Sequence, residues 1–364
     1  MKYLDEFREK EPFKAILSKI RSLPSQTISL MEVCGTHTVS ISKSGLRSLL
    51  PSGIRLISGP GCPVCVTSLE DVDRVIMLAA EGRTHGATII ATFGDMMRVP
   101  GSHSSLLKEK AKGSDIRIVY SPMDALQLAR DNPDKEVIFF AVGFETTSPT
   151  SAATILQAKK EETTNFSILS NNKLIPPAME ILLGDEHIAI DGFICPGHVS
   201  AIIGTTPFQK IVDTFQKGCV ISGFEPLDII LSTYWLMLQK RDGTPKMEIE
   251  YSRVVHQDGN TKALTMLNNV FDISDATWRG FGTIPNSGLV INDAFALHDA
   301  TKKFELPKPD VLESKGCRCD QVLKGIINPK ECPLFASRCT PTEPVGACMV
   351  SSEGTCATYY KYEQ

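Results

Sequence analysis

Several short stretches of this chain carry residues whose types and spacing could do chemistry. MEVCGTHT (31–38) sets Cys34 three residues before His37, GPGCPVC (59–65) holds Cys62 and Cys65 as a CxxC pair, GFETT (143–147) carries Glu145, and CPGH (195–198) ends in His198. Six further cysteines, Cys317, Cys319, Cys332, Cys339, Cys348 and Cys356, crowd the chain beyond residue 316. Cys34 with His37 reads as nucleophile and base, as metal ligands, or as a small hydrophobe in a turn. No Asp, Asn or oxyanion-type loop accompanies the pair, which counts against a hydrolase. A thiolate and an imidazole three residues apart suit a soft-to-borderline metal such as iron or zinc.

The CxxC could be half a zinc site or a reversible dithiol. No second CxxC exists to complete a zinc ribbon, so redox use gains weight. A helix start at Thr67 to Glu70 or Ser68 to Asp71 would place the pair before positive backbone N–H groups, which favour thiolate. The tail is rich in Cys, Pro and Gly and has little core of its own, so it needs a staple. In a reducing compartment that staple is a metal, and widely spaced cysteines without paired knuckles suit an iron–sulfur cluster on four thiolates. Spacing alone leaves open which four of the six serve.

Composition narrows the classes. The chain has 364 residues, 42% of them hydrophobic, more than one core usually organises. Its 38 basic side chains are outnumbered by 42 acidic ones, so no basic field points to nucleic acid or anionic lipid. The N-terminal residues lack a signal-peptide pattern, and the apolar runs fall short of the roughly 18 residues a membrane span needs. The expected location is the cytoplasm, where the eleven cysteines would be reduced.

The elements that must position these residues follow from periodicity. After a helical stretch over about residues 3–22, β-rich runs begin near 27, 54, 87, 116, 136, 166, 192 and 219, separated by helical patterns such as SLEDVDRVIMLAAEG. Alternating strands and helices mean βαβ units in parallel sheets covered on both faces. The expected fold is α/β, with two Rossmann-like parallel-sheet domains and a C-terminal iron–sulfur cluster domain; a single eight-stranded α/β barrel with a cluster tail is the alternative. The boundaries read as an N-terminal helical segment 1–24, domains at 25–135 and 136–235, and a cluster domain at 236–364, with the seam at the short link between the fourth and fifth runs. Either architecture places chemistry at the carboxyl ends of strands, where the motifs lie.

In combination, MEVCGTHT, GPGCPVCVT, FGDMMRVPG, AVGFETT, CPGHVS and the cysteine tail resemble the HypD family of NiFe-hydrogenase maturation proteins, over residues 27 to 356. The resemblance implies two similar α/β domains plus a cluster-bearing third, which favours two sheets over the barrel. It places a 4Fe-4S cluster on Cys317, Cys332, Cys339 and Cys356, through the pattern C-x14-C-x6-C-x16-C. Cys319 and Cys348 resemble thiols that form a disulfide near the cluster and, with Cys62 and Cys65, make a redox relay. Cys34 resembles the cysteine that holds a transient iron carrying CN and CO ligands, shared with the partner HypC, while HypE delivers cyanide. His37, Glu145 and His198 resemble polar groups lining that cleft, and Thr36, Thr38, Thr146 and Thr147 could add donors for the cyanides. Some relatives carry a further histidine after CGTHT; here the position is Val39, so no ligand comes from it. Cys195 and Cys219 have no such role and read as buried small hydrophobes. The implied function is scaffolding of the Fe(CN)2CO unit, and the rival is an iron–sulfur dithiol oxidoreductase acting on protein disulfides.

Overall fold

The computed structural model describes residues 9–186, 188–306 and 308–363. The expected N-terminal helix is present as Lys10–Ser22, and residues 3–8 of that expectation lie outside the described residues. The strands are β1 Ile28–Glu32, β2 Ile54–Ser58, β3 Thr88–Thr92, β4 Ile116–Ile118, β5 Glu136–Gly143, β6 Phe166–Asn172, β7 Gly192–Pro196, β8 Gly218–Ser222, β9 Met247–Ile249, β10 Phe271–Trp278 and β11 Gly282–Ile291. All eight expected strands are among them. The central ones are apolar on both faces: in β5, EVIFFAVG, every residue after Glu136 is buried, as a strand covered on both sides requires.

The strands form two open parallel sheets, ordered β2-β1-β7-β8-β9 and β4-β3-β5-β6, and not one closed barrel. Registers pair Leu30 with Leu56 and Gly192 in the first sheet, and Ile90 with Ile116 and Ile138 in the second. Each sheet begins at an inner strand, adds one neighbour on one side, then crosses to the other. Each therefore has one point where the order reverses: β1/β7 in the first sheet and β3/β5 in the second.

The two sheets interleave along the chain rather than following one another. The chain lays down β1 and β2, leaves to build the whole second sheet, and returns for β7 to β9. The expected seam at residue 135 falls between β4 and β5, which share a sheet on either side of β3. A short link, here the helix Pro122–Asp131, says nothing about which sheet the next strand joins. The seam expected at 235 fares the same way: the helix Pro226–Asp242 runs through it and leads to β9, which pairs with β8. The helix Thr261–Val270 and the antiparallel hairpin β10–β11 pack on the second sheet's helices and on β6.

Only the cysteine-rich segment lacks layers of its own. Beyond residue 312 it consists of short helical turns and the helix Thr355–Tyr362. Its buried side chains, including Cys319, Leu323, Cys348 and Val350, join the core that holds Met31, Val33, Cys65 and Phe193. Arg98, from the turn after β3, donates to the carbonyls of Pro341 and Val350 and ties the segment to the second sheet. No described helix is long and apolar enough to cross a membrane.

Candidate functional site

The reversal point of the first sheet carries Cys34. Two residues past β1, Cys34 adopts an extended conformation and caps the helix Gly35–Lys43. Burial pushes its thiol up to about 12; amides of His37 and Thr36 donating to the sulfur act against this, and the charges of Glu353 and Glu32 reinforce it. Such a thiol stays protonated until a cation arrives to bind it.

Two glycines fix the loop. A Cβ on Gly61 would lie 2.1 Å from the Cys34 nitrogen, and the Gly35 N–H donates to the Gly61 carbonyl at 2.9 Å. The CxxC loop and the Cys34 loop are therefore in backbone contact. A Cβ on Gly35 would lie 2.6 Å from that of Glu353, whose carboxylate accepts the Thr36 hydroxyl at 2.8 Å. The tail thus closes one side of the site.

Glu32, at the end of β1, is fully buried. Its carboxylate accepts the Cys34 N–H at 3.0 Å and the Thr38 hydroxyl, and burial pushes it up to about 7. The hydroxyls of Thr36 and Thr38, expected as donors to a ligand, here donate to carboxylates. Thr147 donates to the Phe144 carbonyl at 3.3 Å.

His37 is also fully buried, with Nε2 2.8 Å from the Gly223 carbonyl. That bond makes Nε2 the donor and leaves Nδ1 a lone pair, which has no partner. Burial holds the imidazole neutral, down to about 4. Phe224 lies between His37 and His198, with ring centroids 4.7 and 3.9 Å away. His198, exposed on the helix Gly197–Ile203 after β7, thus meets the Cys34 loop across the reversal point.

From here a line of sulfurs runs into the tail. Cys62 caps the short helix Pro63–Val66, and its sulfur accepts the Cys65 N–H at 3.3 Å. The next helix, Leu69–His85, starts at Ser68 with Asp71 bonded to it, as expected. The thiolate expected for Cys65 does not follow: complete burial, together with hydrogen bonds shared with Cys348 and Cys62, raises its thiol well above the usual range. Cys348 touches Cys65 on one side and approaches Cys319 to 2.6 Å, sulfur to sulfur, on the other. Cys317 lies close to Cys319, and Cys356 close to Cys348.

All six tail cysteines line one small, partly open cavity, together with Arg318, Leu334, Phe335 and Met349. The Val345 N–H donates to the Cys339 sulfur at 3.3 Å. A Cβ on Gly346 would lie 2.8 Å from the Cys317 sulfur. Among the described residues no three Cys, His, Asp or Glu side chains converge closely enough for a single metal ion. A four-iron cluster asks for something else, one thiolate per iron spread around a larger body. The donor set of Cys317, Cys332, Cys339 and Cys356 fits it.

Glu145 stands apart. It follows β5 at the other reversal point, where its carboxylate accepts the N–H of Ile175 at 3.0 Å and its own N–H. Its second oxygen has no partner, and burial pushes the group up to about 7. No hydrogen bond joins it to Cys34, His37 or His198 among the described residues. Cys195 and Cys219 are fully buried on the adjacent strands β7 and β8.

Sequence reasoning missed Glu32 and Glu353. Glu32 left a signal: it is the one charge in ISLME, a strand buried along its whole length. Nothing local marks Glu353, which matters through its contact with a distant segment.

A family model described as the hydrogenase formation hypA family, HypD, matches residues 11–363. The hydrogenase maturation factor HypD of Rhodobacter capsulatus is 44% identical, with 100% of this chain and 98% of that protein covered. The factor of the same name from Escherichia coli is 42% identical, with 100% and 99% covered. That of Azotobacter vinelandii is 43% identical, with 100% and 97% covered.

Proposed function

The chain belongs to the HypD family of hydrogenase maturation factors, and on that premise we propose that it is the scaffold on which the Fe(CN)2CO unit of a NiFe hydrogenase is built in the cytoplasm. Iron, the cargo, is held by Cys34 together with a thiolate of HypC, and HypE delivers cyanide. The observation that carries this reading is the placement of Cys34: a buried thiol at a sheet reversal point, joined through the Gly61 contact to a line of sulfurs that ends in a cysteine-lined cavity. His37 brings an imidazole Nδ1 lone pair to the same place, and His198 stands at the solvent edge, where a partner docks.

Cys317, Cys332, Cys339 and Cys356 hold a 4Fe-4S cluster, which when bound supplies electrons one at a time. The remaining thiols move them in pairs. Cys348, as thiolate, attacks the Cys65 sulfur of a Cys62–Cys65 disulfide, and Cys62 leaves as thiolate. Cys319 then attacks Cys348 and releases Cys65. Two electrons and two protons pass from the inner pair to the outer pair, leaving Cys319–Cys348 oxidised. Contact of Cys348 with both Cys65 and Cys319 supports this order. Cleaving cyanide from a thiocyanate consumes two electrons, and the Cys62–Cys65 dithiol supplies them.

The test is anaerobic copurification with HypC. The scaffold reading expects one iron beyond the cluster, with CO and CN infrared bands, both lost in Cys34→Ala. The same sulfur line also suits a disulfide oxidoreductase. Full disulfide reductase turnover by Cys34→Ala, with no extra iron in the parent protein, would overturn the scaffold in favour of that rival.

A further inference from the structure

The hairpin turn between β10 and β11 lies where the dithiol segment meets the cysteine tail. Trp278 pairs with Thr67 in an antiparallel bridge. The backbone N–H of Arg279 donates to the Val66 carbonyl at 2.9 Å, and its Nε donates to the Thr67 carbonyl at 2.9 Å. Gly280, at φ +83°, leaves no room for a side chain, since a Cβ would lie 2.7 Å from the Cα of Asp320. The turn is held from both sides, and the Arg279 guanidinium is held with it.

That guanidinium borders a cavity of about 570 Å³ which reaches Cys317 and Cys319. It is the sole cation among the described residues lining this cavity, where Glu70, Glu313 and Asp320 are also present. Its Nη2 is buried and has no hydrogen-bond partner, although a buried guanidinium donor normally finds one.

We propose that Arg279 is a positioning residue for electron transfer: anchored on the dithiol segment, it places one fixed positive charge on the wall of the cavity that reaches Cys317 and raises the reduction potential of the cluster bound there. The inference rests on the reading that Cys317, Cys332, Cys339 and Cys356 hold a 4Fe-4S cluster. A reduced cluster carries one more negative charge than an oxidised one, so a nearby cation stabilises the reduced form. Net charge and hydrogen bonds to sulfur are the quantities that tune such potentials.

The experiment is a redox titration of the full-length protein, followed by electron paramagnetic resonance, for the wild type, Arg279→Gln and Arg279→Lys. Gln is expected to shift the one-electron equilibrium toward the oxidised form by about tenfold, or about 59 mV. Lys, which keeps the charge, stays within about twofold of the wild type. An unchanged potential in Gln, or an equal drop in both variants, overturns the proposal. Should the Gln variant fail to fold, Lys decides: a retained potential supports the charge role, and a tenfold drop overturns it. A wild-type protein that binds no cluster under reconstitution would instead remove the underlying reading.

Discussion

The two parallel sheets reverse strand order in the same way, yet their reversal points are furnished differently. At β1/β7 lie a cysteine, two histidines and a buried carboxylate, closed over by Glu353 from the tail. At β3/β5 the buried carboxyl is Glu145, held by the first amide of the helix Ile175–Leu183, with no sulfur bonded to it. Topology offers the same crevice twice. What separates the two is the tail, which brings sulfur and a second carboxylate to one of them only.

The largest effect expected from this contrast is on cargo. Cys34→Ala removes the iron beyond the cluster, whereas Glu145→Gln keeps it; metal analysis after anaerobic purification reads both. Loss of the iron from Glu145→Gln would break the contrast and join the two crevices into one centre. Next comes Cys348→Ser, which retains the cluster but leaves a Cys62–Cys65 disulfide unreduced when the protein is treated with a low-potential reductant. Mass spectrometry of trapped thiols checks this outcome.

The third effect is on the sign of pH dependence. His37 titrates near 4 when folded and near its ordinary 6.5 when unfolded, so its contribution to stability is present above 6.5 and lost as pH falls through 4, by about 3 kcal/mol. Glu145 is raised from 4.5 to about 7, so its contribution is present below 4.5 and lost as pH rises through 7, by a similar amount. His37→Gln should flatten the acid limb of a denaturant-midpoint profile, and Glu145→Gln the neutral one. Matching changes in the two variants would refute the assignment. The smallest effect concerns the turns. Gly61→Ala forces a methyl against the Cys34 backbone and should cost about 1–3 kcal/mol. Gly94→Ala, in the turn after β3, meets only Ile118 at 3.7 Å and should cost less than about 0.5 kcal/mol.

What the sequence disclosed and what it hid have separate physical causes. Runs such as EVIFFAVG and ATIIATFG are readable because strands buried on both faces leave no polar alternation to confuse with a surface helix. The hairpin was not readable: DISDATW and TIPNSGLV are half exposed and carry Asp, Pro, Asn and Gly, which read as turns. The order of strands within each sheet is a long-range property, and a short link such as Pro122–Asp131 is silent about it. At the site, Cys34, His37, Cys62, Cys65 and His198 stood out by residue type, and the structure gathers them on neighbouring elements. Glu145 stood out equally and lies at the other crevice. Glu353 could not stand out, because it acts through a partner far along the chain.

The Thr36–Glu353 contact joins residues 317 positions apart. Synthesis on the ribosome proceeds from the first residue at about 5–20 residues per second, so Cys34 emerges many seconds before the residues that enclose it. For that interval the thiol exists without Glu353, without Cys348 and without the helix Thr355–Tyr362. A nascent chain therefore displays Cys34 but not its enclosure, and the site becomes whole only after residue 353 has cleared the exit tunnel.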